Sequence, residues 1–233
     1  MTGIRIALFG ASGRTGRRLI AQAIPAGHEV IAVTRRPDSI RPRAGLRVIV
    51  ADATNTTAVE KAVAGADAVA SALGVPYSLK PISIYSAGIA NVLGAMDIHG
   101  VRRLVVVSSA PLDPAYRARD SWLFTRAMEP LLMRLPGRTT YDDMARMESQ
   151  VTGSGVEWTI VRSSWLFDAA AVSAYQLVTG TPTGMYTARP DLAAAMLAQL
   201  TDRRYLRRVV AVNTTEGTPR LVTQIWRENI KGR

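Results

Sequence analysis

A glycine-rich turn near the N-terminus is the strongest chemical signal in the sequence. Its glycines, Gly10, Gly13 and Gly16, follow an apolar run and open a segment with helical periodicity. In this setting one glycine permits a sharp turn, another lets the backbone approach a pyrophosphate, and the third lets the helix pack on the strand. Amide groups at the helix N-terminus then donate hydrogen bonds to the phosphates. The turn, whose other assigned members are Ser12 and Thr15, therefore predicts a dinucleotide site; a glycine-rich connection without a ligand is the alternative.

The residues that end the second predicted strand indicate which nucleotide this turn accepts. Sites for NAD place an acidic residue about 20 positions after the turn, where it holds the ribose 2′-hydroxyl. Here Arg35 and Arg36 take that place, and Arg14 adds a cation inside the turn itself. A guanidinium group is a permanently charged fork that suits a phosphate dianion. We therefore expect NADP(H), with its 2′-phosphate on Arg14 and Arg35; a pair of ordinary surface arginines is the alternative.

Two further strand ends are expected to face the same nucleotide. Asp52 and Ala53 follow the third predicted strand. We expect Asp52 to accept a hydrogen bond near the adenine edge, although an aspartate that only closes a turn or caps a helix is the alternative. Leu73 and Gly74 follow the fourth predicted strand. They should lie under the nicotinamide half of the nucleotide, near the crevice where the strand order reverses.

The elements that must hold these residues alternate between strand and helix through residues 1–110. The predicted strands are Ile4–Phe9, Glu29–Thr34, Leu46–Val50, Ala66–Ala70 and Arg103–Ser108. The predicted helices are Thr15–Ile24, Thr57–Ala64 and Ser83–His99. This alternation is typical of a doubly wound parallel sheet with helices on both faces, which is the Rossmann type of α/β fold.

The second part of the chain, residues 111–233, is expected to elaborate the substrate side of the same single domain. Helices are predicted over Tyr141–Thr152 and Arg189–Leu200, and strands over Glu157–Val161 and Arg208–Val212. The apolar run Trp122–Met133 exceeds what a minimal domain of this type requires. We expect it to cap the substrate, with core packing or a dimer interface as the alternative.

Composition narrows the function classes. The 233 residues carry a net charge of +11, mostly from arginines scattered as pairs, so we expect a solvated surface and no nucleic-acid interface. Cysteine is absent and histidine occurs only as His28 and His99, which argues against a metal centre and fits a cytoplasmic protein. Neither a signal peptide nor a membrane span is predicted. The expected partner is a small-molecule substrate, and a homodimer is a further expectation.

Several motifs together resemble a known family. They are Gly10–Gly16, Val50–Asp52, Val63–Asp67, Val106–Ser109, Asp142–Met147, Ser154–Arg162 and Arg189–Ala193. With them the chain resembles the atypical short-chain dehydrogenase/reductases, and within these the branch of NmrA-like and biliverdin reductase B (flavin reductase)-like proteins. The likeness covers most of the chain and is weakest in residues 112–138. It implies a nucleotide-binding fold whose enzymes transfer hydride.

The resemblance also implies where the chemistry lies. In the flavin reductase-like relatives a serine that ends the fifth strand sits beside the nicotinamide, and Ser109 matches it, with Ser108 next to it. Polar residues that merely end a strand are the alternative. Typical members of the wider family use Tyr-x-x-x-Lys, in which the lysine lowers the tyrosine pKa. Tyr141 is followed four positions later by Ala145, so Tyr141 is a weaker candidate acid, with helix-start packing as the alternative.

The pocket beyond the sixth strand departs from the relatives. They carry Arg-Pro or Pro-Pro there, whereas this chain has Arg162, two serines and Trp165. We expect Arg162 at the cofactor and Trp165 as a flat apolar wall. The leading function is an NADPH-dependent oxidoreductase for a planar or conjugated acceptor, such as a flavin, a quinone or a polyketide-like carbonyl. The alternatives are a non-catalytic NADP(H) sensor, as NmrA-like proteins suggest, and an epimerase or isomerase with bound cofactor.

Overall fold

The central feature is an eight-stranded sheet, seen in a computed structural model that describes residues 3–76, 78–117, 137–180 and 184–219. Across the sheet the strands are β3 (Leu46–Val50), β2 (Glu29–Thr34), β1 (Arg5–Phe9), β4 (Ala68–Ser71), β5 (Arg103–Ser109), β6 (Glu157–Ser163), β10 (Arg208–Thr214) and β8 (Tyr175–Thr179). Neighbouring strands run parallel, except that β8 is antiparallel to β10. The chain winds from β1 out to β3 and then crosses to β4 on the other side of β1. The predicted doubly wound α/β fold is confirmed.

Helices pack on both faces of this sheet. Those described are α1 (Arg14–Ala23), α2 (Thr56–Val63), α3 (Ile84–His99), the short α4 (Pro114–Arg117), α5 (Arg138–Thr152) and α6 (Arg189–Thr201). One apolar cluster joins α1 and α6 to the sheet, and a second joins α2, α3 and α5 to the opposite face. Successive side chains of a strand point to opposite faces, so Ile6 and Leu8 belong to the first cluster and Ala7 and Phe9 to the second. Burial on both faces explains the continuous apolar run of β1.

Three strands have no counterpart in the prediction. Two of them, β7 (Trp165–Phe167) and β9 (Tyr186–Ala188), pair in parallel as a separate small sheet, and the third is the edge strand β8. Three residues are too few to show a period, and the half-buried β8 lacks a clear apolar run. Strand β10 also continues to Thr214, beyond the predicted end at Val212, because Thr214 pairs with Tyr175 of β8. The predicted cap Trp122–Met133 lies entirely within residues 118–136, outside the described residues.

A buried carboxylate joins α5 to the start of α3. The side chain of Asp143 is fully buried and accepts hydrogen bonds from the amides of Tyr85 (2.8 Å) and Ser86 (3.4 Å) and from the Ser86 hydroxyl. Arg146 adds a hydrogen bond of 3.1 Å one helical turn later on α5. Ser83 precedes α3 but makes no side-chain cap. Asp143 therefore caps α3 from a distant part of the sequence and fixes how the two helices pack.

We expect Asp143→Ala to lower the free energy of unfolding by about 2–3 kcal/mol, because hydrogen bonds to a charged group are lost and buried donors are left without an acceptor. Urea denaturation monitored by circular dichroism measures this loss. The matched control is Asp142→Ala, since Asp142 is exposed and its contact with Arg138 is long at 3.8 Å. The control should cost less than about 0.5 kcal/mol. Equal losses for the two variants would contradict the capping role.

Candidate functional site

The glycine turn has the tight backbone geometry that the sequence predicts. Gly10 has a φ of +75°, and a Cβ atom on it would lie 2.3 Å from the carbonyl oxygen of Ala72, just after β4. A Cβ on Gly16 would lie 2.3 Å from the carbonyl oxygen of Gly10. Gly13 precedes α1, where no side chain caps the helix and the first turn holds no acidic residue. No side-chain cap and no acidic residue of the first turn therefore competes with an anion at the start of α1, and the turn fits the predicted dinucleotide phosphates.

Arg35 and Arg36 lie on the β2–β3 side of this turn. The guanidinium of Arg36 donates a hydrogen bond of 3.4 Å to the Ser12 hydroxyl, and the Arg36 amide donates to the Thr34 hydroxyl at 3.1 Å. Arg35 Nη1 lies 3.7 Å from Asp52 Oδ2, which is beyond hydrogen-bonding distance, and both side chains are well exposed. The structure thus brings the two arginines to the turn from the end of β2. Their contact with a phosphate stays a prediction.

Arg17 is an arginine of this region that the motif analysis missed. Its Nε donates to the Ser12 carbonyl oxygen (3.0 Å) and its Nη2 to the Ser39 carbonyl oxygen (2.7 Å). It therefore connects the glycine turn to the short 3₁₀ turn Pro37–Ser39 that follows β2. Its position in the sequence, one helical turn after Gly13, is the feature that could have identified Arg17 as a residue of this site.

The Arg14 side chain pairs with a residue far from the end of β2, where Arg35 and Arg36 lie. Its guanidinium forms an ion pair with the carboxylate of Asp168, a residue that follows β7, and Asp168 Oδ1 also accepts from Arg189 Nη1 at 3.2 Å. Arg189 begins α6, which packs beside α1. Partial burial of Asp168 opposes its ionisation, but the charges of Arg189 and Arg14 outweigh that effect and lower its pKa. Arg14 thus has an anionic partner on the side of the turn away from β2 and β3. Its predicted contact with the 2′-phosphate stays a prediction.

Asp52 closes a turn after β3. Its Oδ1 accepts from the amide (2.9 Å) and the hydroxyl (2.7 Å) of Thr54. These two hydrogen bonds lower the pKa of Asp52, and the Arg35 charge acts in the same direction against slight burial. The neighbouring Ala53 is buried, and its carbonyl oxygen accepts from Asn91 Nδ2 at 2.9 Å. Asp52 Oδ1 therefore closes a turn, which is the alternative interpretation given for this residue. The expected contact of Asp52 with adenine stays a prediction.

The residues after β4 lie beside the glycine turn, and their expected place under the nicotinamide stays a prediction. The Ala72 amide donates to the Phe9 carbonyl oxygen at 2.9 Å, and the Leu73 nitrogen would lie 2.8 Å from a Cβ on Gly10. Gly74 continues from there, and a Cβ on it would meet no atom within 4 Å. Leu73 and Gly74 thus extend away from the turn at the crevice between β1 and β4.

Ser108 and Ser109 end β5 in different environments. Ser109 is partly buried, whereas Ser108 is only 1% exposed and its Oγ has no hydrogen-bond partner within the described residues. Alternation along β5 places Ser108 on the face of Leu104 and Val106, which α3 and α5 cover. Ser109 therefore points to the opposite face, toward the side of α1 and α6. Both serines lie at the carboxyl edge of the sheet, the edge that also carries the glycine turn.

Arg162 lies in a mostly buried charge cluster. Its Nε and Nη2 donate to Glu148 Oε1 (3.0 Å) and Oε2 (2.7 Å), and its Nη1 lies 3.7 Å from Asp113 Oδ2. Two carboxylates thus compensate one guanidinium on the α5 side of β6. The predicted contact of Arg162 with the cofactor stays a prediction. Sequence reasoning missed Glu148, although it lies two helical turns after Tyr141 and so on the same side of α5.

The remaining pocket prediction concerns Trp165, which begins β7. Its amide donates to the Met185 carbonyl oxygen at 3.0 Å, and its side chain is partly buried. It stays a candidate wall of the pocket. Within residues 3–76, 78–117, 137–180 and 184–219, His, Asp and Glu side chains form no group of three that could hold a metal ion. No helix in those same ranges is long and apolar enough to cross a lipid bilayer.

Comparisons with known proteins agree with this geometry. The profile of a family described as NAD(P)H-binding matches residues 10–203. An uncharacterised protein of Mycobacterium tuberculosis is 34% identical over 165 residues, a match that covers 70% of this chain and 15% of that protein. This chain therefore corresponds to a small part of that relative's length.

Two solved structures share the fold. One is a short-chain dehydrogenase/reductase (wide type) from Veillonella parvula in complex with NADP, with a TM-score of 0.73, 20% identity, and coverage of 93% of this chain and 96% of that chain. The other is an anaerobillin reductase from Escherichia coli O157:H7, with a TM-score of 0.73, 23% identity, and coverage of 93% and 99%. At these identities the likeness establishes the architecture.

Proposed function

The chain belongs to the NAD(P)H-binding family, and we propose that it is an NADPH-dependent oxidoreductase that reduces a planar or conjugated acceptor, such as a flavin, a quinone or a polyketide-like carbonyl. The observation that carries the proposal is the position of Ser109. Its partly buried hydroxyl ends β5 at the same edge of the sheet as the glycine turn. Ligands of doubly wound folds collect at this edge, where the strand order reverses.

The preference for NADPH over NADH rests on charge at the end of β2. Position 35, where an acidic residue would hold a 2′-hydroxyl, carries an arginine, and Arg36 contacts Ser12 of the turn. The carboxylate near Arg35 is 3.7 Å away and both groups are exposed, so a phosphate dianion can replace this weak contact at little cost. These features favour a phosphorylated ribose.

Hydride transfer requires few catalytic side chains from the protein itself. When bound, the nicotinamide supplies hydride, and the chain contributes orientation and a hydrogen bond at the acceptor. Ser109 would donate that hydrogen bond, or hold the carboxamide in place. Tyr141 lacks the lysine that would lower its pKa, and the nearby Arg146 donates instead to Ile82 O and Asp143 Oδ1, each at 3.1 Å. We therefore assign Ser109 the leading role and Tyr141 a lesser one.

A non-catalytic NADP(H) sensor is the second candidate. It is favoured by the missing tyrosine–lysine pair and by the two carboxylates that compensate Arg162 next to the strand end. A panel of flavins, quinones and aldehydes, with NADPH oxidation followed at 340 nm, separates the candidates. Turnover with any panel member supports the oxidoreductase. Binding of NADPH without turnover on any of them supports the sensor.

We expect Ser109→Ala to lower kcat/KM by about three- to tenfold with an acceptor from that panel, because one neutral hydrogen bond contributes about 0.5–1.5 kcal/mol. Ser108→Ala is the matched control and should do much less, since its buried hydroxyl has no described partner to lose. A larger, pH-dependent loss for Ser109→Ala would indicate a proton donor. If both variants reduce the acceptor at the wild-type rate, neither serine takes part.

Tyr141→Phe tests the third catalytic candidate, after Ser109 and Ser108. It should leave most activity intact, whereas a general acid contributes about a hundredfold or more to the rate. A loss of that size would return Tyr141 to the centre of the mechanism and displace Ser109.

Location and assembly remain proposals from composition and charge. We propose a cytoplasmic protein that takes a small-molecule substrate, without nucleic-acid or membrane partners, and that forms a homodimer. Cell fractionation tests the location, an electrophoretic mobility assay with DNA and RNA tests nucleic-acid binding, vesicle co-sedimentation tests membrane binding, and light scattering during gel filtration tests the dimer.

A further inference from the structure

The segment after β7 is tied to the helix that begins at the glycine turn. Arg14 forms an ion pair with Asp168, and Arg18 donates to the carbonyl oxygens of Ala169 (3.1 Å) and Ala170 (3.3 Å). Residues 168–170 therefore lie along the first half of α1. This arrangement places a carboxylate beside the end of the turn that is expected to receive phosphates.

Asp168 is held in place from the other side. The side chain of Arg189 is only 8% exposed, and it contacts Asp168 Oδ1 at 3.2 Å from the first residue of α6. The Arg14 side chain is about half exposed, at 53%. If the two partners separate, the buried Arg189 keeps Asp168 where it is, and the exposed Arg14 is the side chain that moves.

Arg14 lies where it could serve either of two anions. It follows Gly13 directly and is two residues from Ser12, whose hydroxyl accepts from Arg36 at the end of β2. One anion is Asp168, on the side of α6, and the other would be a phosphate between the turn and β2. A guanidinium in one ion pair is less available to a second anion, because the two anions repel each other and share the same donors.

We propose that Asp168 is a specificity-determining residue that competes with the 2′-phosphate of the nucleotide for Arg14, and so limits the preference for NADPH over NADH. The proposal rests on the NADPH preference proposed above, but not on turnover. Asp168 stays ionised near neutral pH because the charges of Arg189 and Arg14 outweigh its partial burial and lower its pKa. The competition therefore acts over the whole neutral range.

The test measures binding by isothermal titration calorimetry. The ligands are NADPH, NADH, adenosine 2′,5′-bisphosphate and adenosine 5′-monophosphate, titrated at 50 mM and 500 mM salt. Asp168→Asn should bind NADPH and adenosine 2′,5′-bisphosphate about two- to fivefold more tightly, which corresponds to the usual free energy of an exposed ion pair. Its affinities for NADH and adenosine 5′-monophosphate should not change. The gain should shrink at high salt because exposed charges are then screened.

Two further variants control for indirect effects. Asp168→Glu keeps the charge and should behave like the wild type. Glu157→Gln removes a carboxylate that pairs with Arg203 at the start of β6, at the opposite edge of the sheet, and should change no affinity. Weaker NADPH binding by Asp168→Asn, no change, or equal changes for all four ligands would each overturn the proposal.

Failure of this inference and failure of the proposed function give different results. Tighter 2′-phosphate binding by Asp168→Asn, in a protein that reduces no acceptor, would support the competition and leave only the reductase rejected. Arg14→Gln tests the shared premise, since it should weaken NADPH more than NADH. If Arg14→Gln changes neither affinity, Arg14 does not contact the phosphate, and the competition is overturned whatever the activity.

Discussion

Replacing Arg35 by alanine should weaken NADPH binding by about ten- to a hundredfold and change NADH binding by less than about twofold. The reason is that only NADPH carries the 2′-phosphate, and a charge-assisted hydrogen bond to it contributes about 1.5–3 kcal/mol. Arg35 directly follows β2, and its nearest carboxylate, Asp52, is too far away at 3.7 Å for a hydrogen bond. Little is therefore lost when its guanidinium turns to a phosphate. Fluorescence titration of both nucleotides measures the difference.

The matched control for this experiment is Arg47→Ala. Arg47 is an exposed arginine on the neighbouring strand β3, so its removal lowers the net charge equally without touching the glycine turn. The control separates a specific contact from the general attraction of a basic protein for an anion, which falls as salt screens it. Wild-type protein that binds NADPH and NADH alike would contradict the preference. Parallel weakening by Arg35→Ala and Arg47→Ala would indicate unspecific charge.

The parts of the fold that sequence reasoning reached are those with local causes. Strands β1, β2, β4, β5 and β6 appear as apolar runs because each is buried along most of its length. The helices α1, α2, α3 and α5 appear as helical periods because one side of each is buried. The strands β7 and β9 have only three residues each, so their pairing depends on contacts outside the segment. The Ser164 amide, for instance, donates to the Thr187 hydroxyl, which itself donates to the Val212 carbonyl oxygen. Such contacts produce no periodic pattern in the sequence.

The candidate site also has some features that could be predicted from the sequence and others that could not. Glycine spacing and the arginines after β2 are visible in the sequence because the turn is a local structure. The partners of the charged residues are not, because they come from distant positions: Asp168 for Arg14 and Glu148 for Arg162. Asp143 shows the difference most clearly, since its position inside α5 gives no sign that it caps α3. Residue type thus predicts the chemistry of a group, and tertiary contacts decide what that group is available to bind.

Gly10→Ala is expected to weaken NADPH and NADH equally, by more than about tenfold. Gly10 has a φ of +75°, a region that costs an L-residue about 1–2 kcal/mol, and the added Cβ would lie 2.3 Å from the Ala72 carbonyl oxygen. A Cβ atom and a carbonyl oxygen cannot approach so closely, so the turn must move. Its amides then miss the pyrophosphate, and each such hydrogen bond contributes about 1.5–3 kcal/mol. Calorimetric titration with both nucleotides measures the effect.

Two glycine variants make this result interpretable. Gly94→Ala, on α3, adds a Cβ with no atom within 4 Å, so it should leave both affinities nearly unchanged. It should raise the melting temperature slightly, because alanine is a better helix former than glycine by about 1 kcal/mol. Gly13→Ala is the graded case, since Gly13 has a φ of −69° and its Cβ would lie 3.1 Å from the Gly10 carbonyl oxygen. It should weaken both nucleotides less than Gly10→Ala does, and it keeps the test open if Gly10→Ala fails to fold. Because the pyrophosphate is common to both nucleotides, a loss confined to NADPH would place Gly10 at the ribose phosphate instead. Wild-type binding by Gly10→Ala would show that the turn is only a connection between β1 and α1.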